Sequence, residues 1–247
     1  MDTPQRYRPQ LETTDWFRGL PADLKDWLTG HGTLVTLDKD QRLYRQGDRS
    51  NGLYAVLGGA LAIGTVGADG KEALLAVLGP TAWIGEISLF DGLPRPHDAT
   101  AASRTLLMHV PEAALLNLLE TAPGYWRDFA LLMAQRLRLS FSNSEDMTLL
   151  PAAQRLARRL LSIAGGYGGL LERGDRIRLS QERLASMVSL SRQTTNQLLK
   201  KLESQGIVAL RSGEIAILDF GRLHAASRGE ERAQALKDSG QAALKSH

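Results

Sequence analysis

Residues 179–203, LSQERLASMVSLSRQTTNQLLKKLE, admit few folds. Their apolar positions form two groups at helical spacing, Leu184, Ala185 and Val188, then Leu198, Leu199 and Leu202. Each group gives a short helix one face to bury. Between them, Ser189-Leu190-Ser191 supplies a turn, and Ser191 is suited to cap the second helix because its hydroxyl accepts a backbone N–H one turn on. Ser189 stands where the turn calls for a positive φ, which a non-glycine residue adopts with some strain. Arg192, Gln193, Thr194, Asn196 and Gln197 then crowd the first turns of the second helix. In a helix-turn-helix that end enters the major groove, where Arg pairs with guanine and Asn or Gln with adenine. An ordinary helical hairpin with a solvated face shares part of this pattern, so the neighbouring chain matters. Residues 207–218 read as two short strands around Ser212-Gly213, and a hairpin directly behind the second helix makes a winged module.

The charge is divided in the same sense. Residues 1–150 carry a net −4, residues 151–220 a net +5 and residues 221–247 a net +2. Positive charge therefore accompanies the reading head, where it can neutralise phosphates. At 247 residues the chain suffices for two ordinary domains. It contains no cysteine, which removes disulfides, thiolate-held zinc and iron–sulfur clusters. The first residues lack the apolar run of a signal peptide, and no stretch reaches the roughly 18 apolar residues of a membrane span. A cytoplasmic protein without membrane contact is the expectation.

Residues 32–110 hold short β-like runs, LVTL, LYAVL, LAIGTV and ALLAVL, separated by closely spaced glycines, the pattern of a barrel or sandwich. A lead-in helix over 20–30 has Pro21 at its start. Beyond Pro111 the pattern turns helical, with a short helix over 112–121 and a long one over 123–150. Met133, Leu137, Ser140, Ser144 and Met147 follow a 4-3-4-3 spacing along the long helix, a coiled-coil-like seam that predicts a homodimer. Phe129, Leu132, Arg136 and Leu139 lie on a neighbouring face assigned to the barrel. The reading is α+β, with a strand-rich barrel or sandwich domain at 14–122, a dimerisation helix at 123–150, a winged helix-turn-helix at 151–222 and a mobile tail at 223–247.

In this order the blocks Leu43-Tyr44-Arg45-Gln46-Gly47-Asp48, Leu53-Tyr54-Ala55-Val56, Gly85-Glu86-Ile87-Ser88-Leu89-Phe90 and Ser191-Arg192-Gln193-Thr194 make the chain resemble the Crp/Fnr family of bacterial transcription factors. The resemblance implies a cyclic-nucleotide-binding-type β-roll and a winged helix-turn-helix. It also implies a homodimer acting on palindromic promoter DNA, with RNA polymerase as a partner. On the reading head it points to Ser191, Arg192, Gln193, Thr194, Asn196, Gln197, Lys200 and Arg211, with Thr195 and Lys201 as further phosphate contacts. Many relatives have Glu where Gln193 stands and a second Arg where Gln197 stands, so a half-site related to the usual one but different is expected.

In the sensor the resemblance points to Gly85, Glu86, Ile87, Ser88, Arg95, His97, Asp98 and Ser140. Nucleotide-binding relatives follow Gly-Glu with Arg-Ser/Thr-Ala. Setting Ala99 on that alanine places His97 at the phosphate-binding Arg and Asp98 at the hydroxyl, where a carboxylate repels a phosphate. Arg95 is an alternative cation, but Pro96 alters the backbone beside it. On the long helix Ser140 matches a base-contacting hydroxyl and Phe141 replaces the next polar position. The expectation is a sensor that does not bind cyclic AMP in the classical way, with His97 and Asp98 hydrogen-bonded to each other. The effector is then a different cyclic nucleotide, another small molecule or none. The alternatives are a cyclic-AMP-gated activator and a nucleotide-binding module whose winged domain holds a protein. The five histidines, His31, His97, His109, His224 and His247, show no haem-ligand spacing, and no hydrolase motif or phosphate loop is present, so no enzyme is expected.

Overall fold

The computed structural model describes residues 2–67, 72–164, 176–177 and 179–230. These fall into two compact units, one up to residue 141 and one from residue 142 onward.

The first unit opens with a 3-10 turn, Pro4–Tyr7, and helices α1 (Arg8–Leu11), α2 (Asp15–Gly19) and α3 (Ala22–His31). Pro21 is the N-cap residue of α3, one position ahead of where the sequence places it. Leu11 is fully buried and joins the main core, so the unit begins ahead of residue 14. One apolar anchor among polar neighbours was too weak a periodic signal to show this.

Two antiparallel four-stranded sheets follow. One has the order β1 (Thr33–Leu37), β8 (Thr105–Pro111), β3 (Gly52–Gly58), β6 (Trp83–Ile84). The other runs β2 (Arg42–Tyr44), β7 (Asp98–Ala101), β4 (Leu61–Val66), β5 (Glu72–Leu78). Strand β3 is buried on both faces, which accounts for its unbroken apolar run. The core gathers Leu53, Ala55, Leu57, Trp83, Met108 and Val110 from the strands with Trp16, Phe17, Leu24 and Leu28 from the leading helices. Helix α4 (Glu86–Asp91) follows β6, and α5 (Glu112–Thr121) has the limits expected from sequence. A 3-10 turn at Pro123–Tyr125 leads into α6 (Trp126–Leu149). Phe129 and Leu132 are buried in the core, as their assignment to the barrel face requires, and Trp16 Nε1 donates to Asp128 O at 2.7 Å. The boundary between the units lies within α6, after Phe141, and not at the helix ends.

In the second unit α7 (Ala152–Ala164) buries Leu156, Ala157, Leu160 and Ile163. Helices α8 (Gln181–Met187) and α9 (Arg192–Ser204) form the helix-turn-helix, and β10 (Val208–Arg211) pairs with β11 (Glu214–Ile217) as the wing. A third strand, β9 (Arg176–Ile177), pairs with β11. Two residues are too few to read as a strand from sequence. The chain stays ordered past residue 222 in α10 (Phe220–Arg228), where Asp219 caps the helix and Leu223 and Ser227 are buried. The expected mobile tail is therefore corrected for residues 223–230, because a cap and two buried anchors hold them. Residues 231–247 lie outside the described residues.

Candidate nucleic-acid interface and ligand pocket

Ser191 caps α9 as the sequence demands. Its Oγ accepts the Thr194 N–H at 3.0 Å and lies 2.8 Å from the Thr194 hydroxyl. The turn before it is tight, with Leu190 N–H donating to Ala185 O at 3.0 Å and Ser189 at φ +49°. Leu199 and Leu202 face the core with Leu184, Ala185 and Val188, which fixes the outward face of α9. That face shows Arg192, Gln193, Gln197, Lys200 and Lys201, while Thr194 and Asn196 are half-buried. Arg211 is exposed at the wing, and with Arg192 it lines an open cleft that also includes Ser180, Gln181 and Glu214. Thr195 is wholly buried. Its place as a phosphate contact is corrected, since one helical step beyond Thr194 turns it into the core. The first turn of α9 has no acidic residue, which leaves the positive end of the helix unopposed.

The sensor site centres on Arg95. Its side chain is 2% exposed, and its backbone is fixed by Arg95 N–H to Asp48 O at 2.8 Å and Gly47 N–H to Arg95 O at 2.9 Å. Those two bonds set the direction of the side chain whatever Pro96 does next. Nη2 donates to Gly52 O at 2.7 Å and Asn51 Oδ1 at 2.8 Å, and Nη1 to Gly85 O at 3.3 Å. The guanidinium carbon stands 4.6 Å from the centroid of the Tyr44 ring. Among the described residues no carboxylate is within ion-pair distance of Arg95, and its Nε is buried without a partner. A buried cation held only by neutral acceptors keeps much of its desolvation cost. Gly85 is needed here, because at φ +104° an added Cβ would lie 2.5 Å from Gly52 O and 2.7 Å from Arg95 Nη1.

Glu86, 3% exposed, is paired with Arg136 of α6, Nε to Oε1 at 2.8 Å. Arg136 also donates to Trp83 O. Burial pushes the Tyr44 phenol up to about 12, against the opposing charge of Arg95. Asn51 Nδ2 donates to the Tyr54 hydroxyl at 2.6 Å. Burial raises the Tyr54 phenol, and this hydrogen bond from Asn51 opposes the rise.

His97 and Asp98 are half-buried and do not hydrogen-bond each other. Asp98 Oδ1 accepts the Gln46 N–H at 2.8 Å instead. Arg95, rather than His97, supplies the buried cation, which corrects the placement made from Ala99. Burial lowers the His97 pKa below its ordinary 6.5, and the Asp98 charge opposes this. The folded state then prefers neutral His97. Its contribution to stability is complete above about pH 6.5 and is lost as pH falls through the lowered folded value. Thermal unfolding between pH 7.5 and 5 should show a smaller acid loss for His97→Gln than for the unaltered chain. Equal losses would count against that coupling.

Two family models match. The cyclic nucleotide-binding domain covers residues 34–122 and the Crp-like helix-turn-helix domain residues 154–226. Together with the fold, they decide the family. The chain is a transcriptional regulator of the Crp/Fnr family. This regulator is 28% identical over 211 residues to the "CRP-like cAMP-activated global transcriptional regulator" of Mycobacterium tuberculosis, covering 84% of the chain and 93% of the relative. It is 24% identical over 194 residues to the "cAMP-activated global transcriptional regulator CRP" of Escherichia coli, covering 78% and 92%. In fold it is similar to FixK2 from Bradyrhizobium japonicum, with a TM-score of 0.70, 21% identity and coverage of 79% and 96%. The regulator CLP of Xanthomonas campestris gives a TM-score of 0.65, 22% identity and coverage of 81% and 100%.

Of the sensor residues read from sequence, this Crp/Fnr chain brings Gly85, Glu86 and Arg95 together. Ser88 is buried beside them in sequence on α4, its hydroxyl without a partner among the described residues, whereas Ile87 is 40% exposed. Ser140 is exposed on α6. Asn51, Gly52 and Arg136 were missed as parts of the site. Asn51 and Gly52 act from a loop and strand edge more than 40 residues from Arg95 in sequence, so only the β3–β8 and loop pairings reveal them. No group of three or more metal-ligating side chains converges among the described residues, and no described helix is long and apolar enough to cross a membrane.

Proposed function

We propose that this Crp/Fnr regulator acts as a cytoplasmic homodimer that binds a palindromic promoter site through α9, with RNA polymerase as a further partner. The observation that carries this is the exposed face of α9, whose first turn has no acidic residue and which bears Arg192, Gln193, Gln197, Lys200 and Lys201, with Arg211 exposed on the wing. Ser191, Thr194 and Asn196 support or border that face, and Arg211 reaches it from the wing. A dimer is supported by α6, where Leu131, Leu137 and Phe141 are 46, 52 and 60% exposed. Ser140 and Ser144 are exposed and Met133 and Met147 half-buried along the same seam. Apolar side chains left open along a long helix favour a partner helix.

The sensor is proposed to take a small anionic effector at Arg95. The orphaned Nε and the absence of a carboxylate fit a phosphate or carboxylate, which would complete a charge-assisted hydrogen bond. Glu86 could in addition accept from a ligand hydroxyl. The cradle departs from the classical one, since Pro96 has no N–H to donate and Asp98, two residues on, opens β7 with a carboxylate. Cyclic AMP is therefore not expected to be required. The relatives from M. tuberculosis and E. coli are named as cAMP-activated, which makes that nucleotide the natural probe.

Genomic fragments bound by the purified chain should be selected and sequenced with and without cyclic AMP. The expected result is one two-fold-symmetric motif in both conditions. A motif seen only with the nucleotide would make the chain a cAMP-gated activator. No motif in either condition would favour a winged domain that holds a protein.

A further inference from the structure

The partners of the Arg95 guanidinium differ in how easily they can leave. Nη2 donates to Gly52 O at 2.7 Å and to Asn51 Oδ1 at 2.8 Å, which uses both of its hydrogens. Nη1 donates to Gly85 O at 3.3 Å. Nε is buried and has no partner among the described residues. Gly52 O and Gly85 O are backbone atoms, and Gly52 opens strand β3, so neither withdraws without moving the sheet edge. Asn51 is different. Its amide is a side chain on an exposed residue, whereas Arg95 is 2% exposed. The backbone of Asn51 is pinned, because its carbonyl oxygen accepts the Glu112 N–H at 3.0 Å and lies 2.9 Å from His109 Nε2. A rotation of the Asn51 side chain alone therefore uncovers Nη2, and exposed side chains change rotamer quickly. It gives up one further bond, from Nδ2 to the Tyr54 hydroxyl at 2.6 Å.

A carboxylate or phosphate is held best by arginine through two oxygens on two parallel N–H groups. Nη2 lies on the same side of the guanidinium as the Nε–H, so these two nitrogens form one such fork. Here one prong of that fork is open and the other is closed by Asn51. The closing atom is a neutral amide oxygen, and a charged oxygen makes about twice as strong a bond to the same donor. The exchange thus favours the anion, and it fills the vacant Nε at the same time.

We propose that Asn51 Oδ1 holds the place of a ligand oxygen on Arg95, and that a phosphate or carboxylate enters by displacing this amide from Nη2 while its second oxygen takes Nε. This rests on the anion-site reading of Arg95 above and names the residue that gates it. Thermal unfolding of the full chain, Asn51→Ala and Asn51→Asp, in inorganic phosphate and in acetate against chloride of equal ionic strength, tests it. In chloride Asn51→Ala should unfold at a lower temperature than the unaltered chain, because an Nη2 hydrogen loses its acceptor. Phosphate or acetate should remove part of that deficit, whereas a purely structural asparagine would leave it the same in every salt. Affinity read from the dependence of the midpoint on anion concentration should be about tenfold tighter in Asn51→Ala than in the unaltered chain, the worth of one charge-assisted hydrogen bond. Asn51→Asp, whose own carboxylate pairs with Arg95, should keep only the general effect of these salts. The salt that separates the variants tells phosphate from carboxylate. An affinity in Asn51→Ala no tighter than in the unaltered chain, with Asn51→Asp unresponsive, would overturn the exchange and leave the anion site standing. Equal responses in all three chains would be the general salt effect alone and would overturn both.

Discussion

Arg192→Ala should weaken binding to the selected palindrome by about 1–3 kcal/mol for each guanine that the arginine pairs with. Each protomer of a dimer reads one such guanine, so the total is about 2–6 kcal/mol if the half-sites act independently. Binding to scrambled duplex should fall much less, because non-specific affinity comes mainly from phosphate neutralisation. The Arg192 side chain is exposed and forms no hydrogen bond or ion pair among the described residues, so its removal leaves the helix-turn-helix packing intact. The cap at Ser191 and the buried Leu199 and Leu202 hold α9 without it. Titration by fluorescence anisotropy checks both numbers. Equal affinity of the variant and the unaltered chain for the palindrome would mean that α9 does not dock as described.

The sensor offers the second large effect. Arg136→Met leaves the carboxylate of Glu86, 3% exposed, without its cation and frees Trp83 O of a donor. Breaking a buried pair from one side costs about 3–5 kcal/mol, and the partial exposure of Arg136 moves the expectation to the lower end, about 3 kcal/mol. Adding Glu86→Gln to Arg136→Met should recover much of the loss, because a neutral amide carries a smaller desolvation cost. Denaturant unfolding of the single and double variants gives the coupling. A single variant as stable as the unaltered chain would show that Glu86 does not depend on Arg136.

Local patterns were legible in the sequence where one side chain acts on its near neighbours. The Ser191 cap, the α9 core face, the wing around Gly213 and the limits of α5 all follow from spacing within one turn or hairpin. Ser189 even shows the positive φ that its place in the turn implied. The sensor was less legible because its contacts are long-range. Sliding the motif to meet Ala99 put His97 inside, whereas two backbone bonds to the 47–48 loop decide that Arg95 points inward. No local pattern carries that information. The same reason hid Arg136, whose role depends on where α6 crosses α4, and α10, whose few apolar residues suffice because one of them, Leu223, is fully buried.

The proposed regulator reads duplex DNA as a two-fold-symmetric dimer. The most direct measurement is binding to the selected palindrome and to a scrambled duplex of equal length, across a series of salt concentrations, with the mass of the complex determined at saturation. The predicted result is two chains per palindrome and a linear fall of log affinity with log salt, with affinity for the palindrome at least about a thousandfold above that for the scrambled duplex. Equal affinities for the two duplexes, or binding indifferent to salt, would contradict it.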